Sequence, residues 1–491
     1  MRMYSAASAR PWILLITLIA ACSPARAAAP DSLATAWSSA MQELHIPGMM
    51  VVVVNRDGIV RRDLLGVRDT DRSLPVDLDT RMYIASCTKP FVACAVTLLA
   101  NDGRIDLDAP VRRYLPRFTL ATPGYADSIT VRDLLGHRPG LVNKTITFGD
   151  AYTGEMTDGR YYRLLSETTP RRSFAYSNLH YTLLGRVIQS VTGKPWQEVV
   201  TERVFVPAGM TRTTCAASAA WADANVARPY EYEQGHLVLA TPLKSDATMH
   251  AAGGIFTTGN DLARWLRLQL GDGMLDGRRV LPAAALRSMR TLLASEAAGP
   301  HPLLKWERRI AWSAGWDVRT FDADTLYCHN GNYSGSGAFL AFLPGRNLGV
   351  AVAANGPGSV FLAEVAAAQA LDAALPRSHP NMMPALLDMV RARAARNAEA
   401  TSATGGALSL PAARYAGDFY NDDCGTLNVV VKGDSLSATI GALSLGVDLT
   451  GRDRFIADGY PGRFEVGAEG RIDAVWLCIA PPDSVRFERR Q

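Results

Sequence analysis

The run Met49-Met50-Val51-Val52-Val53-Val54 constrains the fold of this chain more than any other stretch. It is continuously apolar, it is rich in β-branched valine, and it has no polar alternation, which is the pattern of a strand buried on both faces. Arg56-Asp57-Gly58 then turns the chain into a second extended run, Ile59 to Val67. Asp-Gly between two such runs is a strong hairpin signal. Leu33 to Leu44 reads as a helix stopped by Ile46-Pro47-Gly48. Further strands come late, at Leu326 to His329, Ser336 to Leu343 and Leu348 to Ala354, and a helix from Val360 to Leu375 closes the unit. Strands at both ends with helices between predict an α/β (α+β) fold. Its antiparallel-rich sheet would be assembled from both ends of the unit and flanked by helices on both faces. Residues from about 105 to 320 would form a mostly helical subdomain, with the site in the cleft between.

At 491 residues the chain is long enough for two or three domains. A hydrophobic content of 48% with 20% charged residues fits ordinary globular packing, and a net charge of +4 gives no reason to expect nucleic acid as a partner. Residues 1–29 read as a signal segment: Arg2 and Arg10 precede an apolar core, Trp12 to Ala21, too short for a permanent span. Two exits fit. Ile19-Ala20-Ala21-Cys22 has the form of a lipoprotein signal that would anchor the protein to a membrane through a lipidated Cys22, and Ala25-Arg26-Ala27 offers ordinary cleavage. Either way the expected location is periplasmic or secreted. The seven cysteines form no C-x-x-C pair, so neither a zinc site nor a thioredoxin-like motif is indicated. Cys424 and Cys478 share one segment and are candidates for a disulfide.

Residues 30–376 form the main unit in this reading, 377–408 a linker in which Arg391 to Ala398 reads as helical, and 409–491 a small all-β domain. In the last, Leu427, Val429 and Val431 alternate with polar positions, as do Leu436, Ala438 and Ile440 and later pairs. Period two with frequent turns points to a meander or barrel.

Three candidates carry chemistry. Ser86 stands three residues before Lys89 at the head of the apolar run Phe91 to Leu99, a spacing that puts both side chains on one helical face. A serine hydroxyl needs a neighbouring base, and a lysine whose pKa is depressed by burial can be one. Tyr176-Ser177-Asn178 opens a second helix, with apolar residues at Leu179, Leu183, Leu184, Val187 and Ile188. His329-Asn330-Gly331 ends a strand. Cys87 neighbours Ser86, but the lysine spacing belongs to the serine.

In this order, S-x-x-K, Y-x-N and H-x-G resemble the motifs of the serine β-lactamase and penicillin-binding-protein superfamily, in the branch of class C β-lactamases, D,D-carboxypeptidases and esterases. Leu134-Leu135-Gly136-His137-Arg138-Pro139-Gly140-Leu141 and Ala252-Gly253-Gly254 are similar to further family segments, and the resemblance covers residues 33 to 375. The C-terminal segment from Tyr415 resembles the lipocalin-like barrel appended to some family hydrolases. The resemblance implies an acyl-enzyme on Ser86, with Lys89 and Tyr176 exchanging protons. Asn178 would bind a substrate amide and steady Lys89, while His329 would flank Tyr176. Gly331 would let the strand approach the substrate, and the N–H groups of Ser86 and Asn332 would form the oxyanion hole. It implies no metal or cofactor, a small-molecule or peptide substrate, and nothing about oligomeric state. Histidine at 329 replaces the lysine usual in β-lactamases, which shifts the expected substrate from β-lactams towards esters, amides or peptides. The alternative is a β-lactam or peptidoglycan sensor that is acylated without turnover.

Overall fold

The computed structural model describes residues 32–490 except 234, 296–300, 376, 378, 402–405, 434, 481 and 482. The signal segment and Cys22 lie outside the described residues, as does part of the expected linker 377–408. No described helix is long and apolar enough to cross a membrane.

The apolar run forms the strand Gly48–Val54, and every residue in it is buried. It pairs antiparallel with Ile59–Asp69 on one side and with the late strand Leu348–Ala354 on the other, in the register Met49↔Ala354 to Val54↔Gly349. Early and late chain thus meet in one nine-stranded sheet. Its order is Ala294–Ser295, Glu307–Trp312, Asp317–Phe321, Asp324–Tyr333, Ser336–Leu343, Leu348–Ala354, Gly48–Val54, Ile59–Asp69 and Leu74–Pro75.

Alternate side chains of a strand point to opposite faces, so the run feeds two cores at once. Met50, Val52 and Val54 join the core that contains Phe91 and Trp265, under the helices Lys89–Asn101 and Gly259–Leu270. Met49, Val51 and Val53 join the opposite core with Trp37, Leu362 and Leu386, under Ser32–Glu43, Ser359–Ala374 and Met383–Thr401.

Two expectations need correction. The helical region does not run to 320: Ala294–Ser295, Glu307–Trp312 and Asp317–Phe321 already belong to the sheet. Their sequence hides this because the buried face carries charge. Arg319 is buried and its guanidinium binds Asp317 (2.9 Å), Glu307 (2.9 Å) and Glu364 (2.6 Å), while Arg309 grips Asp317 at 2.6 and 2.8 Å. A hydrophobic pattern cannot report residues buried by pairing. Removing one member strands the others, so Arg319→Met is expected to cost about 3–5 kcal/mol. A urea midpoint unchanged from the wild type would contradict this. The second correction concerns 377–408: it contains the helix Met383–Thr401, whose buried Met383 and Leu386 pack on the sheet-side core. The Ala/Arg-rich remainder offers no apolar stripe that would announce so long a helix.

Beyond it, eight antiparallel strands from Gly417–Asn421 to Asp483–Arg489 close into a barrel, each pairing with the next and the last with the first. Phe419, Leu427, Phe455, Phe464 and Phe487 fill its interior. Phe148 of the larger unit joins that apolar cluster, edge-on to Tyr460 at 5.8 Å, and Ala442 N donates to Thr153 O at 2.8 Å. Cys424 and Cys478 are both free thiols. Cys424 is buried in the barrel core, whereas Cys478, between the buried Leu477 and Ile479, points outward by the period-two rule, so the expected pairing does not form.

Candidate active site

Ser86 is not on the helix that follows it. Ala85–Thr88 form a 3₁₀ turn, and the α-helix begins at Lys89, with Pro90 in its first turn where a missing N–H costs nothing. In a 3₁₀ turn residues three apart eclipse one another, which stacks Ser86 and Lys89 more directly than an α-helix would. Ala85, immediately before the serine, has φ 44°, a left-handed conformation that a residue with a Cβ adopts at a cost. From Lys89 to Leu99 the helix is buried on all sides, which accounts for its unbroken apolar sequence.

The Lys89 amine makes three polar contacts: Ser86 Oγ at 3.1 Å, Asn178 Oδ1 at 2.9 Å and Ala252 O at 2.9 Å. The two carbonyl oxygens can only accept. They take two N–H groups, so a neutral amine is left with its lone pair facing the Ser86 hydroxyl. Burial favours that neutral form and pushes the Lys89 pKa well below the usual lysine range. The arrangement can therefore take the serine proton. Activity that depends on the free amine is present above the Lys89 pKa and lost as pH falls through it. The acid limb of kcat/KM is thus expected well below the ordinary lysine value of about 10.4, with activity already present at neutral pH. A rate that rises only above about pH 9–10 would contradict a buried, neutral base at this position.

Asn178 is the first residue of the helix Asn178–Thr192, and Ser177 rather than Asn178 caps it, accepting from Leu179 N at 3.2 Å. The Asn178 side chain is thereby free for Lys89. Tyr176, just upstream, has its hydroxyl close enough to Ser86 for the two to interact, and its ring lies 4.8 Å from the Lys89 amine. Burial of the hydroxyl pushes its pKa up, although the residue as a whole is 42% exposed, and the interaction with Ser86 offsets this only in part. The free enzyme holds a phenol here, able to donate.

His329 lies inside the strand Asp324–Tyr333, not at its end, with its ring 6.0 Å from that of Tyr176. Burial lowers its pKa to about 3, so it is neutral. Its Nδ1 lies 2.6 Å from Asn330 O, which accepts only; Nδ1 carries the proton and the buried Nε2 keeps a lone pair with no partner among the described residues.

Gly331 has a steric requirement that the sequence does not show. A Cβ there would lie 2.1 Å from Ile84 O and 3.3 Å from Cys87 N. The strand thus closes on the turn that carries Ser86. Cys87 is buried, donates to His329 O at 3.2 Å, and has its thiol pKa raised by burial, so it is no rival nucleophile.

Ala252 O was not legible as a ligand of Lys89, since a backbone carbonyl has no residue signature. The Ala252-Gly253-Gly254 segment was the only trace of it. It is locked to the site by Gly254 N donating to Thr88 Oγ1 at 3.0 Å and by the Tyr83 hydroxyl donating to Gly253 O. Among the described residues no cluster of His, Cys, Asp or Glu is placed to hold a metal.

Comparison with known proteins bears on the family and the fold. A family profile described as Beta-lactamase matches residues 33–375. Protein flp of Staphylococcus aureus (strain MW2) is 25% identical over 329 residues, which cover 64% of this chain and 61% of that protein. Penicillin-binding protein 4 of Amycolatopsis lactamdurans is 27% identical over 322 residues, 64% of this chain and 82% of that one. The chain thus spans about 61% of the length of the flp relatives it matches. Among solved structures, the octameric penicillin-binding protein homologue from Pyrococcus abyssi aligns with TM-score 0.62 at 21% identity, covering 93% of this chain and 98% of that one. D-amino acid amidase from Ochrobactrum anthropi SV3 aligns with TM-score 0.57 at 23% identity, over 70% of this chain and 99% of its own, and both likenesses bear on the fold. The profile spans well over half of the chain and contains Ser86, Lys89, Tyr176 and His329, and on that ground the chain belongs to the beta-lactamase family of serine hydrolases.

Proposed function

We propose that the protein is an exported hydrolase that cleaves amide, ester or peptide bonds of neutral substrates through an acyl-enzyme on Ser86. The observation that carries this is the Lys89 amine, buried with two N–H groups committed to carbonyls and its third position on Ser86 Oγ. In this reading Lys89 takes the Ser86 proton as Oγ attacks the substrate carbonyl. The Tyr176 hydroxyl, close to Ser86, passes a proton to the leaving group, and Asn178 holds a substrate amide while steadying Lys89. The backbone N–H groups of Ser86 and Asn332 receive the oxyanion. Water then releases the acyl group by the same proton path in reverse.

The substrate class follows from His329. A lysine there would offer a cation to a substrate carboxylate, whereas the neutral, buried imidazole of His329 offers none. Export rests on the 1–29 segment, and membrane attachment on lipidation of Cys22.

The test compares a neutral amide, a neutral ester and a cephalosporin, in the wild type and in His329→Lys. The wild type is expected to turn over the neutral substrates faster. The variant's preference should shift towards the carboxylate-bearing substrate by about 10–100-fold, the worth of one charge-assisted hydrogen bond. Faster cephalosporin hydrolysis by the wild type would overturn the substrate assignment, and a stoichiometric burst without turnover on all three would identify a sensor.

A further inference from the structure

We propose that His137 is a positioning residue for Tyr176, held in one tautomer by His180. The proposal rests on the reading of Tyr176 as a proton relay. His137 follows the short helix Val131–Leu135, is fully buried, and has φ 57°. It ties down both neighbours of Tyr176: its carbonyl accepts from Ala175 N at 3.1 Å, and its Nδ1 accepts from Ser177 N at 3.4 Å. Its ring lies 4.8 Å from the Tyr176 ring. Few arrangements fix a single side chain from both sides along the chain and from its face at once.

The tautomers can be assigned from one end of the network. Leu141 N is a donor only, and it donates to His180 Nε2 at 3.1 Å. His180 Nε2 is therefore unprotonated, so the neutral ring carries its proton on Nδ1. That proton points along a 2.8 Å contact to His137 Nδ1. His137 Nδ1 is then the acceptor, the same atom that Ser177 N addresses, and His137 holds its own proton on Nε2. That N–H is buried and has no partner among the described residues, in a ring packed against Phe174, Tyr176, Tyr181 and Trp312.

The titratable groups around the pair are His180 on His137 itself, Tyr176 and Tyr181 against the ring, and Lys89 and His329 nearby. A second proton on the pair would put two N–H groups face to face across 2.8 Å, beside the Lys89 amine. Burial and these neighbours keep both rings neutral, lowering His137 well below its usual range and His180 to about 3. The pair therefore acts as a fixed acceptor and not as a proton carrier. Neither ring makes a hydrogen bond to Ser86.

The experiment is a double-mutant cycle on turnover of a neutral ester, with melting temperatures recorded for each protein. His137→Leu is expected to lower kcat by about 10–100-fold with KM within a few-fold, the scale of a misplaced catalytic group. His137→Asn, which keeps an acceptor near the Nδ1 position and tolerates positive φ, should recover most of the loss. In a Tyr176→Phe background His137→Leu should have no further effect on kcat, because the group it positions is gone. Additive losses, or equal losses in the Asn and Leu variants, would overturn the proposal. If His137→Leu does not fold, the same cycle with His180→Gln is read by the same criterion. Wild-type activity in Tyr176→Phe alone would instead overturn the relay reading on which the proposal rests.

Discussion

Lys89→Met is expected to lower kcat/KM by about 10³–10⁴-fold, the upper part of the range for losing a positioned general base. The side chain is matched in length, so packing in the buried helix is retained. The substitution removes an amine that is costly to bury, and it leaves Asn178 Oδ1 and Ala252 O without their donor. These effects oppose each other, so the change in thermal stability is expected to be small beside the change in rate. Lys89→Arg separates charge from basicity, because a guanidinium stays protonated and cannot take the serine proton. It should be as inactive as the methionine variant. A loss below tenfold in either variant, read on a neutral ester at pH 7, would mean that another group deprotonates Ser86.

Gly331→Ala is expected to have the second largest effect, and for a different reason. The added Cβ would sit 2.1 Å from a backbone oxygen, Ile84 O, which cannot swing away as a side-chain end could. Either the strand Asp324–Tyr333 or the Ser86 turn has to move. The stability cost belongs at the top of the usual range for overpacking, about 3 kcal/mol. A shift of about 1 Å between Asn332 and Ser86 would cost roughly 10²-fold in rate. Rate and melting temperature should fall together. An alanine variant with wild-type turnover would show that this close approach does not set the geometry of the site.

The parts of this molecule that were legible in the sequence are those written in hydrophobic period or in motif spacing. Met49 to Val54 announced a doubly buried strand, and its two faces feed two separate cores. The alternation after Leu427 announced the barrel. Ser86, Lys89, Tyr176, Asn178 and His329 were singled out by residue type and order, and the structure brings them to one cleft. What stayed hidden was carried by groups that sequence patterns do not record. The strands around Asp317 and Arg319 are buried by ion pairing, so their pattern reads as surface. Ala252 contributes a carbonyl, and any residue has one. Ala85 holds a left-handed φ without being glycine, and Gly331 is required by a neighbour 247 positions earlier, Ile84. The imidazole tautomers of His137, His180 and His329 depend on single backbone donors or acceptors, which only the folded chain supplies.

The central claim is that Ser86 accepts the acyl group. Its most direct test is intact-protein mass spectrometry with peptide mapping, after brief incubation with an activated ester that deacylates slowly. One acyl group per chain, mapped to Ser86 and missing from Ser86→Ala, is the expected result. An acyl group on any other residue, or undiminished labelling of Ser86→Ala, would contradict it.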